Sequence, residues 1–169
     1  MIICLTGFMG CGKSSVGREL SRLLCCPFMD LDDVIEERAG RSIPEIFATD
    51  GETVFRQMEL EALQATTSTE GMLVLALGGG TVMTPKCAEI IHERTMCIYM
   101  KAGIDTLVSH LEGEAEGRPM LMGDSLRSRI MELMDLRADT YEKTAHIIID
   151  TDGKSIEALA SEISGAILN

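Results

Sequence analysis

A glycine-rich segment close to the first residue constrains the fold of this chain more than any other feature. Residues 7–14 read GFMGCGKS: a glycine, four further residues, then glycine, lysine and serine. This spacing is typical of a loop whose backbone N–H groups turn inward around phosphate oxygens, and its glycines permit the tight turn and the close approach. In such a loop Lys13 neutralises the β- and γ-phosphates of a nucleotide, and the Ser14 hydroxyl binds Mg²⁺. The predicted phosphate contacts are Gly10, Cys11, Gly12, Lys13, Ser14 and Ser15.

The segments on both sides of the loop support this interpretation. Residues 2–5 (IICL) form a short apolar run of the kind expected for a buried strand. Behind the loop, apolar residues recur at helical spacing, at Val16, Leu20, Leu23 and Leu24. The predicted order is therefore strand, loop and helix, and the partial positive charge at the helix N-terminus adds to phosphate binding.

Short apolar runs recur further along the chain and predict four more strands. They lie within residues 27–33, 72–77, 96–100 and 146–150, and helical patterns separate them. A run that is apolar throughout is typical of a parallel strand buried on both faces. Because a chain of 169 residues suits one domain, we expect a single α/β domain spanning residues 1–169.

Residues suited to phosphate or substrate binding follow two of the predicted strands. Asp30 and Asp32 come at the end of the second strand, and Gly78, Gly79 and Gly80 follow the third. Because the carboxyl ends of parallel strands meet at one edge of a sheet, all of them should face the phosphate crevice. One carboxylate there can reach Mg²⁺ through water, and another can accept hydrogen bonds from a substrate hydroxyl. The glycines let a ligand approach the backbone.

Two longer segments between the strands are candidates for substrate binding and catalysis. Residues 31–67 carry helix start signals and are too long for a plain connection, so we expect a helical insertion that supplies a substrate pocket with Arg56 in its lining. Residues 112–124 contain glycines and acids without apolar periodicity, a pattern typical of a mobile lid. Arg118 lies in this segment and is expected to close on the phosphates.

The charge and the cysteines of the chain limit its partners and its compartment. A formal net charge of −12 and a pI near 4.6 oppose general binding of nucleic acids, which needs a basic surface. The chain shows neither a signal segment nor an apolar run long enough for a bilayer, so we expect neither export nor a membrane span. The six cysteines form no CxxC pair, which favours reduced thiols. We therefore expect a cytoplasmic protein, and we also expect it to act as a monomer.

Taken together, these motifs resemble the shikimate kinase family, within the nucleoside-monophosphate-kinase-like group of P-loop proteins. The resemblance covers nearly the whole chain. It implies a three-layer α/β P-loop kinase fold with a five-stranded parallel sheet in the order 2-3-1-4-5, helices on both faces and a lid over ATP. The matching segments are residues 7–14, 28–32, 35–36, 40–43, 46–47, 51–52, 55–56, 78–80 and 118–119, together with Leu121 and Arg137.

The resemblance also implies which residues bind the substrate, shikimate. Asp32 would bind the shikimate hydroxyls and is the candidate base for the hydroxyl that is phosphorylated. Arg56 and Arg137 would hold the carboxylate, because the arginine fork matches a carboxylate at two points. The backbone of residues 78–80 would support the ring.

The same resemblance assigns the nucleotide and metal contacts. Ser14 and, through water, Asp30 would hold Mg²⁺, while Lys13 and Arg118 would stabilise the transferring phosphoryl group. The implied reaction is ATP-dependent phosphorylation of the 3-hydroxyl of shikimate, which gives shikimate 3-phosphate and ADP in chorismate and aromatic amino-acid biosynthesis. The catalytic residues would be Lys13, Asp32 and Arg118.

Other functions remain open at this point. A gluconate kinase would share the fold and the phosphate loop, although the pair of Asp30 and Asp32, together with Arg56 and the triple glycine, favours a cyclic carboxylate substrate. An adenylate or cytidylate kinase would need a base-reading pocket, of which the sequence shows no sign. A Ras-type GTPase needs an Asn-Lys-x-Asp motif, and the only asparagine is Asn169. A non-catalytic nucleotide-binding module would be expected to lack a catalytic residue, and none is missing.

Overall fold

Five parallel strands form the central sheet of the protein. The computed structural model describes residues 1–112 and 125–169, and the strands lie in the order β2-β3-β1-β4-β5. This confirms the expected order 2-3-1-4-5. Because every pairing is parallel, the carboxyl ends of the strands meet at one edge of the sheet. The strands are β1 (Ile2–Thr6), β2 (Phe28–Asp30), β3 (Leu73–Ala76), β4 (Met96–Lys101) and β5 (Ile147–Asp150).

Helices fill the connections between the strands, where the helical patterns predict them. They are α1 (Lys13–Leu24), α2 (Leu31–Ala39), α3 (Ile43–Thr49), α4 (Gly51–Thr67), α5 (Pro85–Arg94), α6 (Ile104–Leu111), α7 (Leu126–Thr144) and α8 (Ile156–Leu168), with a 3₁₀ turn at Thr81–Met83. α2, α3 and α4 occupy the segment expected to form a helical insertion. Within the described ranges, none of the helices combines the length and the apolar character that a bilayer crossing needs.

The central strand β1 is buried on both faces. Ile3 and Leu5 belong to a buried cluster that includes residues of α1 and α8, whereas Ile2 and Cys4 belong to a second cluster that includes residues of α4 and α5. Successive side chains of a strand point to opposite faces of the sheet. Ile2, Ile3, Cys4 and Leu5 are therefore all apolar, which explains why this part of β1 does not alternate, and only Thr6 at the end of the strand is polar.

The second strand is shorter than expected, and this corrects the position of Asp32. β2 ends at Asp30, and Asp32 lies in the first turn of α2 instead of at the end of a strand. Asp30 is the N-cap of this helix, because its Oδ1 accepts a hydrogen bond from the N–H of Asp32 at 2.9 Å. The first N–H groups of a helix have no partner within the helix, and a capping side chain that accepts from one of them stabilises the helix start. This cap favours the start of α2 directly after Asp30 and therefore the end of β2 at that residue.

The segment expected to form a lid, residues 112–124, lies outside the described residues except for Glu112. Arg118 belongs to it, so its expected contact with the phosphates stays a prediction. The helices that flank the segment, α6 and α7, pack against each other, and Leu107 and Ile130 lie in the same buried cluster. The segment therefore connects two helices, α6 and α7, that are in contact with each other.

Candidate active site

The phosphate loop joins β1 to α1, and its geometry requires its glycines. Gly7 and Gly10 adopt positive φ angles of 148° and 81°, which residues with a β-carbon rarely occupy. Space is also limiting, because a β-carbon would lie 2.6 Å from the Met100 carbonyl oxygen at position 7 and 2.8 Å from Cγ of Leu111 at position 10. Gly12 is the N-cap of α1. The loop therefore leads directly into a helix N-terminus, an arrangement that favours anion binding.

Lys13 is held inside the loop by the loop's own backbone. Its Nζ donates to the carbonyl oxygen of Gly7 at 2.8 Å and to that of Phe8 at 2.9 Å. The residue is only 8% exposed, and a buried charge needs such partners because it has lost its water. The ammonium group is thus fixed beside the concave side of the loop, where a bound phosphate would meet it.

Ser14 and Asp30 connect the phosphate loop to the end of β2. The Ser14 hydroxyl donates to Oδ2 of Asp30 across 2.5 Å, while Oδ1 of the same carboxylate caps α2. Hydroxyl and carboxylate oxygens are hard ligands that suit Mg²⁺, which usually binds through one or two such groups together with phosphates and water. These two residues therefore have the chemistry that a magnesium site requires.

Two cavities open beside the loop and share one wall. The larger cavity has a volume of about 900 Å³ and extends from the phosphate loop to the N-terminal turn of α8. The smaller cavity has a volume of about 240 Å³ and lies against α3 and α4. The residues that line both are Met9, Asp32, Gly78 and Gly79. Ligands bound in the two cavities would meet at this shared wall.

Arg56 lines the smaller cavity, where a buried carboxylate holds it. Its Nη1 donates to Oε1 of Glu59 at 2.8 Å, and Oε2 of Glu59 accepts a hydrogen bond from the Thr81 hydroxyl at 2.7 Å. Glu59 is fully buried, so water does not compete for this carboxylate. Gly80 packs so closely against the guanidinium that a β-carbon there would lie 2.6 Å from Nη2. The position of the Arg56 fork is therefore restricted on two sides.

Arg137 approaches the smaller cavity from α7. Its side chain is buried, and its guanidinium carbon lies 5.8 Å from the centre of the Phe8 ring. Nη1 of Arg137 has no hydrogen-bond partner in the part of the chain that the structure describes. It lies beside the glycine loop, where a β-carbon on Gly79 would be 3.4 Å away. A buried nitrogen without a partner is costly, and an anionic ligand in the cavity would satisfy it.

Three residues that shape the smaller cavity were not predicted from the sequence: Glu59, Thr81 and Tyr141. Glu59 follows Arg56 by one helical turn, a spacing at which opposite charges pair, so a local signal existed. Tyr141 is fully buried on α7 and donates its hydroxyl to the carbonyl of Gly79. That contact joins residues 62 positions apart in the chain and leaves no local signal.

The two cavities contain the predicted site residues that the structure describes. Those lining only the larger cavity are Gly10, Cys11, Gly12, Lys13, Ser14, Ser15 and Asp30. Those lining only the smaller cavity are Arg56, Gly80 and Arg137, while Asp32, Gly78 and Gly79 line both. Two aromatic rings of the helical insertion, Phe47 and Phe55, also line the smaller cavity with their centres 4.9 Å apart.

Sequence comparison finds relatives over nearly the whole chain. A model of the shikimate kinase family matches residues 9–168. The shikimate kinase of Thermus thermophilus is 42% identical over 161 residues, which are 95% of this chain and 86% of that protein. The shikimate kinase of Geobacter sulfurreducens is 41% identical over 96% of this chain and 88% of its own length.

Structure comparison extends this likeness to the fold. The shikimate kinase from Acinetobacter baumannii in complex with shikimate has a TM-score of 0.95 at 34% identity, covering 99% of this chain and 92% of that one. The shikimate kinase from Aquifex aeolicus has a TM-score of 0.83 at 31% identity, covering 99% of this chain and 96% of its own. The similarity therefore covers nearly the whole chain, including the segments that line the two cavities.

Proposed function

The chain belongs to the shikimate kinase family, and from this premise we propose how its two cavities carry out the reaction of that family. The protein is an ATP-dependent shikimate kinase, an enzyme that transfers a phosphoryl group from ATP to shikimate. The observation that carries the proposal is the shared wall, where Asp32, Gly78 and Gly79 line both cavities. A gluconate kinase or a non-catalytic module finds no support among these relatives.

ATP occupies the larger cavity in this proposal. The backbone N–H groups of residues 10–15 surround its β- and γ-phosphates, and Lys13 supplies positive charge at the point of transfer. Thr151 and Lys154 line the same cavity and lie toward the adenosine part of the nucleotide. Arg118, outside the described residues, is proposed to add a second positive charge beside the transferring group.

Shikimate occupies the smaller cavity. A volume of about 240 Å³ is below the roughly 300–1,000 Å³ of pockets for drug-sized ligands, so it suits one small ring. The substrate carboxylate contacts Arg56 and Arg137, whose guanidinium groups line this cavity. The unsatisfied Nη1 of Arg137 supports this assignment, because a carboxylate oxygen would pair with it. The backbone of residues 78–80 lies against the ring, where the lack of side chains permits close approach.

Asp32 is proposed to receive the reacting hydroxyl. It lines both cavities, so it lies where the substrate hydroxyl and the γ-phosphate would meet. A carboxylate within hydrogen-bond reach of a hydroxyl orients it and accepts its proton as the phosphoryl group arrives. We expect the 3-hydroxyl of shikimate to be the group that is phosphorylated, which gives shikimate 3-phosphate.

Mg²⁺ is proposed to bind beside Ser14 and Asp30. The Ser14 hydroxyl oxygen and Oδ2 of Asp30 are 2.5 Å apart, so one ion could be reached from both oxygens. An ion bound there would neutralise charge on the β- and γ-phosphates. Asp30, whose second oxygen caps α2, would hold the ion through a water molecule.

We further propose that the protein acts as a monomer in the cytoplasm. All six cysteines are free thiols, as a reducing compartment favours. The net charge of −12 supports a role without general nucleic-acid binding. Light scattering coupled to size-exclusion chromatography tests this prediction, because the measured molar mass of a dimer would be twice that of the single chain.

A coupled assay of ADP release tests the reaction itself. The purified protein with ATP and Mg²⁺ should release ADP when shikimate is added and should not when gluconate is added. Nuclear magnetic resonance of the product should place the phosphate on the 3-oxygen. Removal of Mg²⁺ with a chelator should stop the release. Turnover of gluconate without turnover of shikimate would overturn the proposal.

A further inference from the structure

Tyr141 holds part of the smaller cavity in place without lining it. The residue lies on α7, is fully buried, and is absent from the walls of both cavities. Its hydroxyl donates to the Gly79 carbonyl, and its ring packs against Tyr99 of β4 with the ring centres 5.1 Å apart. Tyr141 therefore connects the long helix to the glycine loop that follows β3.

The charge of Arg137, which lies one helical turn earlier on α7, also acts on this hydroxyl. Burial raises the pKa of Tyr141 above its ordinary value, and the positive charge of the Arg137 guanidinium, together with a hydrogen bond to it, partly offsets the rise. The phenol therefore stays protonated. Because a phenol has one proton to donate and lone pairs that accept, it can donate to Gly79 while it accepts from Arg137. One hydroxyl thus joins two of the groups proposed to contact the substrate.

The contact with Gly79 also sets the direction of the next N–H group. The carbonyl of Gly79 and the N–H of Gly80 belong to one planar trans peptide, so they point in opposite directions. A peptide between two glycines meets little steric resistance to rotation, so its orientation needs an external hold. With its carbonyl held by Tyr141, the N–H of Gly80 is turned away from the phenol. Gly79 and Gly80 both line the smaller cavity.

We propose that Tyr141 is a positioning residue for the substrate: its hydroxyl keeps the Gly79–Gly80 peptide and the Arg137 guanidinium in the orientation in which they contact shikimate. This inference rests on the proposed function, because it concerns the same cavity. Lys13 is held by other contacts, to Gly7 and Phe8. Loss of the Tyr141 hydroxyl should therefore weaken binding of shikimate and leave binding of ATP unchanged.

The test is Tyr141→Phe, which removes the hydroxyl and keeps the ring that packs against Tyr99. The matched control is Tyr99→Phe, since Tyr99 is also buried and its hydroxyl makes no hydrogen bond with residues 1–112 or 125–169. We expect Tyr141→Phe to raise the KM for shikimate at least about tenfold, equivalent to about 1.4 kcal/mol. The KM for ATP should stay within about twofold, and the control should change neither value.

Each outcome of this experiment is decisive. The positioning role is supported if Tyr141→Phe raises the KM for shikimate but not the KM for ATP, and if Tyr99→Phe raises neither. Unchanged kinetics would overturn it. An equal rise in both KM values with a lower Tm, or loss of folding, would assign Tyr141 to the core only and would also overturn it. Failure of the proposed function is seen separately, as lack of shikimate turnover by the unaltered protein, and would remove both proposals.

Discussion

A β-carbon at position 80 would lie 2.6 Å from Nη2 of Arg56, so Gly80 sets the room available to that guanidinium. The Arg56 side chain cannot easily move away from position 80, because its Nη1 donates to Oε1 of Glu59 at 2.8 Å. The backbone of Gly80 has a φ of −110°, which alanine also adopts, so a substitution acts through this contact. We expect Gly80→Ala to displace the fork and raise the KM for shikimate about tenfold, with the KM for ATP unchanged.

The control for this substitution is Gly165→Ala on α8. A β-carbon at position 165 meets no atom within 4 Å. Alanine is the better helix former by about 1 kcal/mol, so this variant should keep its kinetics and show equal or slightly higher stability in urea. Equal KM values for shikimate in Gly80→Ala and Gly165→Ala would contradict the proposed position of the Arg56 fork in substrate binding.

Arg137→Ala should raise the KM for shikimate by at least about tenfold, equivalent to about 1.4 kcal/mol or more. The reason is that the substrate carboxylate would lose one of its two guanidinium partners. Arg127→Ala on the same helix is the control, because Arg127 is 54% exposed and pairs with the surface carboxylate of Asp105. Steady-state kinetics with shikimate varied at saturating ATP measures both. An unchanged KM in Arg137→Ala would remove Arg137 from the site.

Lys13→Ala should lower kcat by at least about 10²-fold, because a charged donor at the transferring phosphoryl group is lost. The carbonyl partners of Nζ, Gly7 and Phe8, are buried, so urea unfolding of the variant is measured beside the kinetics to show that its fold persists. Lys86→Ala on α5 removes an exposed lysine and should leave kcat unchanged. Single-turnover measurement of phosphoryl transfer distinguishes the two variants, and near-normal transfer by Lys13→Ala would show that the loop lysine is not catalytic.

The buried thiols predict how stability depends on pH. Burial raises the pKa of Cys4 and of Cys87 to about 12, whereas a thiol in the unfolded chain has a pKa of about 8.5. Above that value the unfolded state binds fewer protons than the folded state, so the free energy of unfolding should fall as pH rises from about 9 toward 12, by up to about 1.4 kcal/mol per pH unit for each thiol.

Urea unfolding under reducing conditions measures how the free energy of unfolding changes with pH. The range of about pH 8 to 10 is chosen because it includes the pKa of about 8.5 of a thiol in the unfolded chain. Cys87→Ala should give a shallower slope than the unaltered protein. Cys25→Ala is the control, because Cys25 is exposed and its thiol is not buried on folding. If the free energy of unfolding changed with pH equally in Cys87→Ala, Cys25→Ala and the unaltered protein, burial of Cys87 would not be the cause of the pH dependence.

The parts of the architecture that depend on local pattern could be predicted from the sequence. Residues 2–5 of β1 and all of β3 are buried on both faces of the sheet, so each forms a continuous apolar run in the sequence that indicates a strand. The phosphate loop needs glycines at special backbone angles, which leaves a fixed spacing before Lys13 and Ser14. The strand order followed from the family resemblance and not from any of these patterns.

The parts that depend on contacts between distant residues could not be predicted in the same way. Asp32 was expected at the end of a strand, but the capping of α2 by Asp30 begins the helix earlier. The pairing of Tyr141 with Gly79 exists only because α7 packs beside the glycine loop. Arg118 lies outside the described residues, and its role stays a prediction.

The hydrogen bonds of Lys13 to Gly7 and Phe8 bear on how a nucleotide associates with the protein. A lysine side chain carries about 2 kcal/mol of rotamer entropy, which is lost when the side chain becomes ordered. In this protein folding has already ordered it, so that loss does not recur when ATP arrives. An incoming phosphate therefore meets an ammonium group that is already ordered, so ordering this side chain offsets less of the attraction between them.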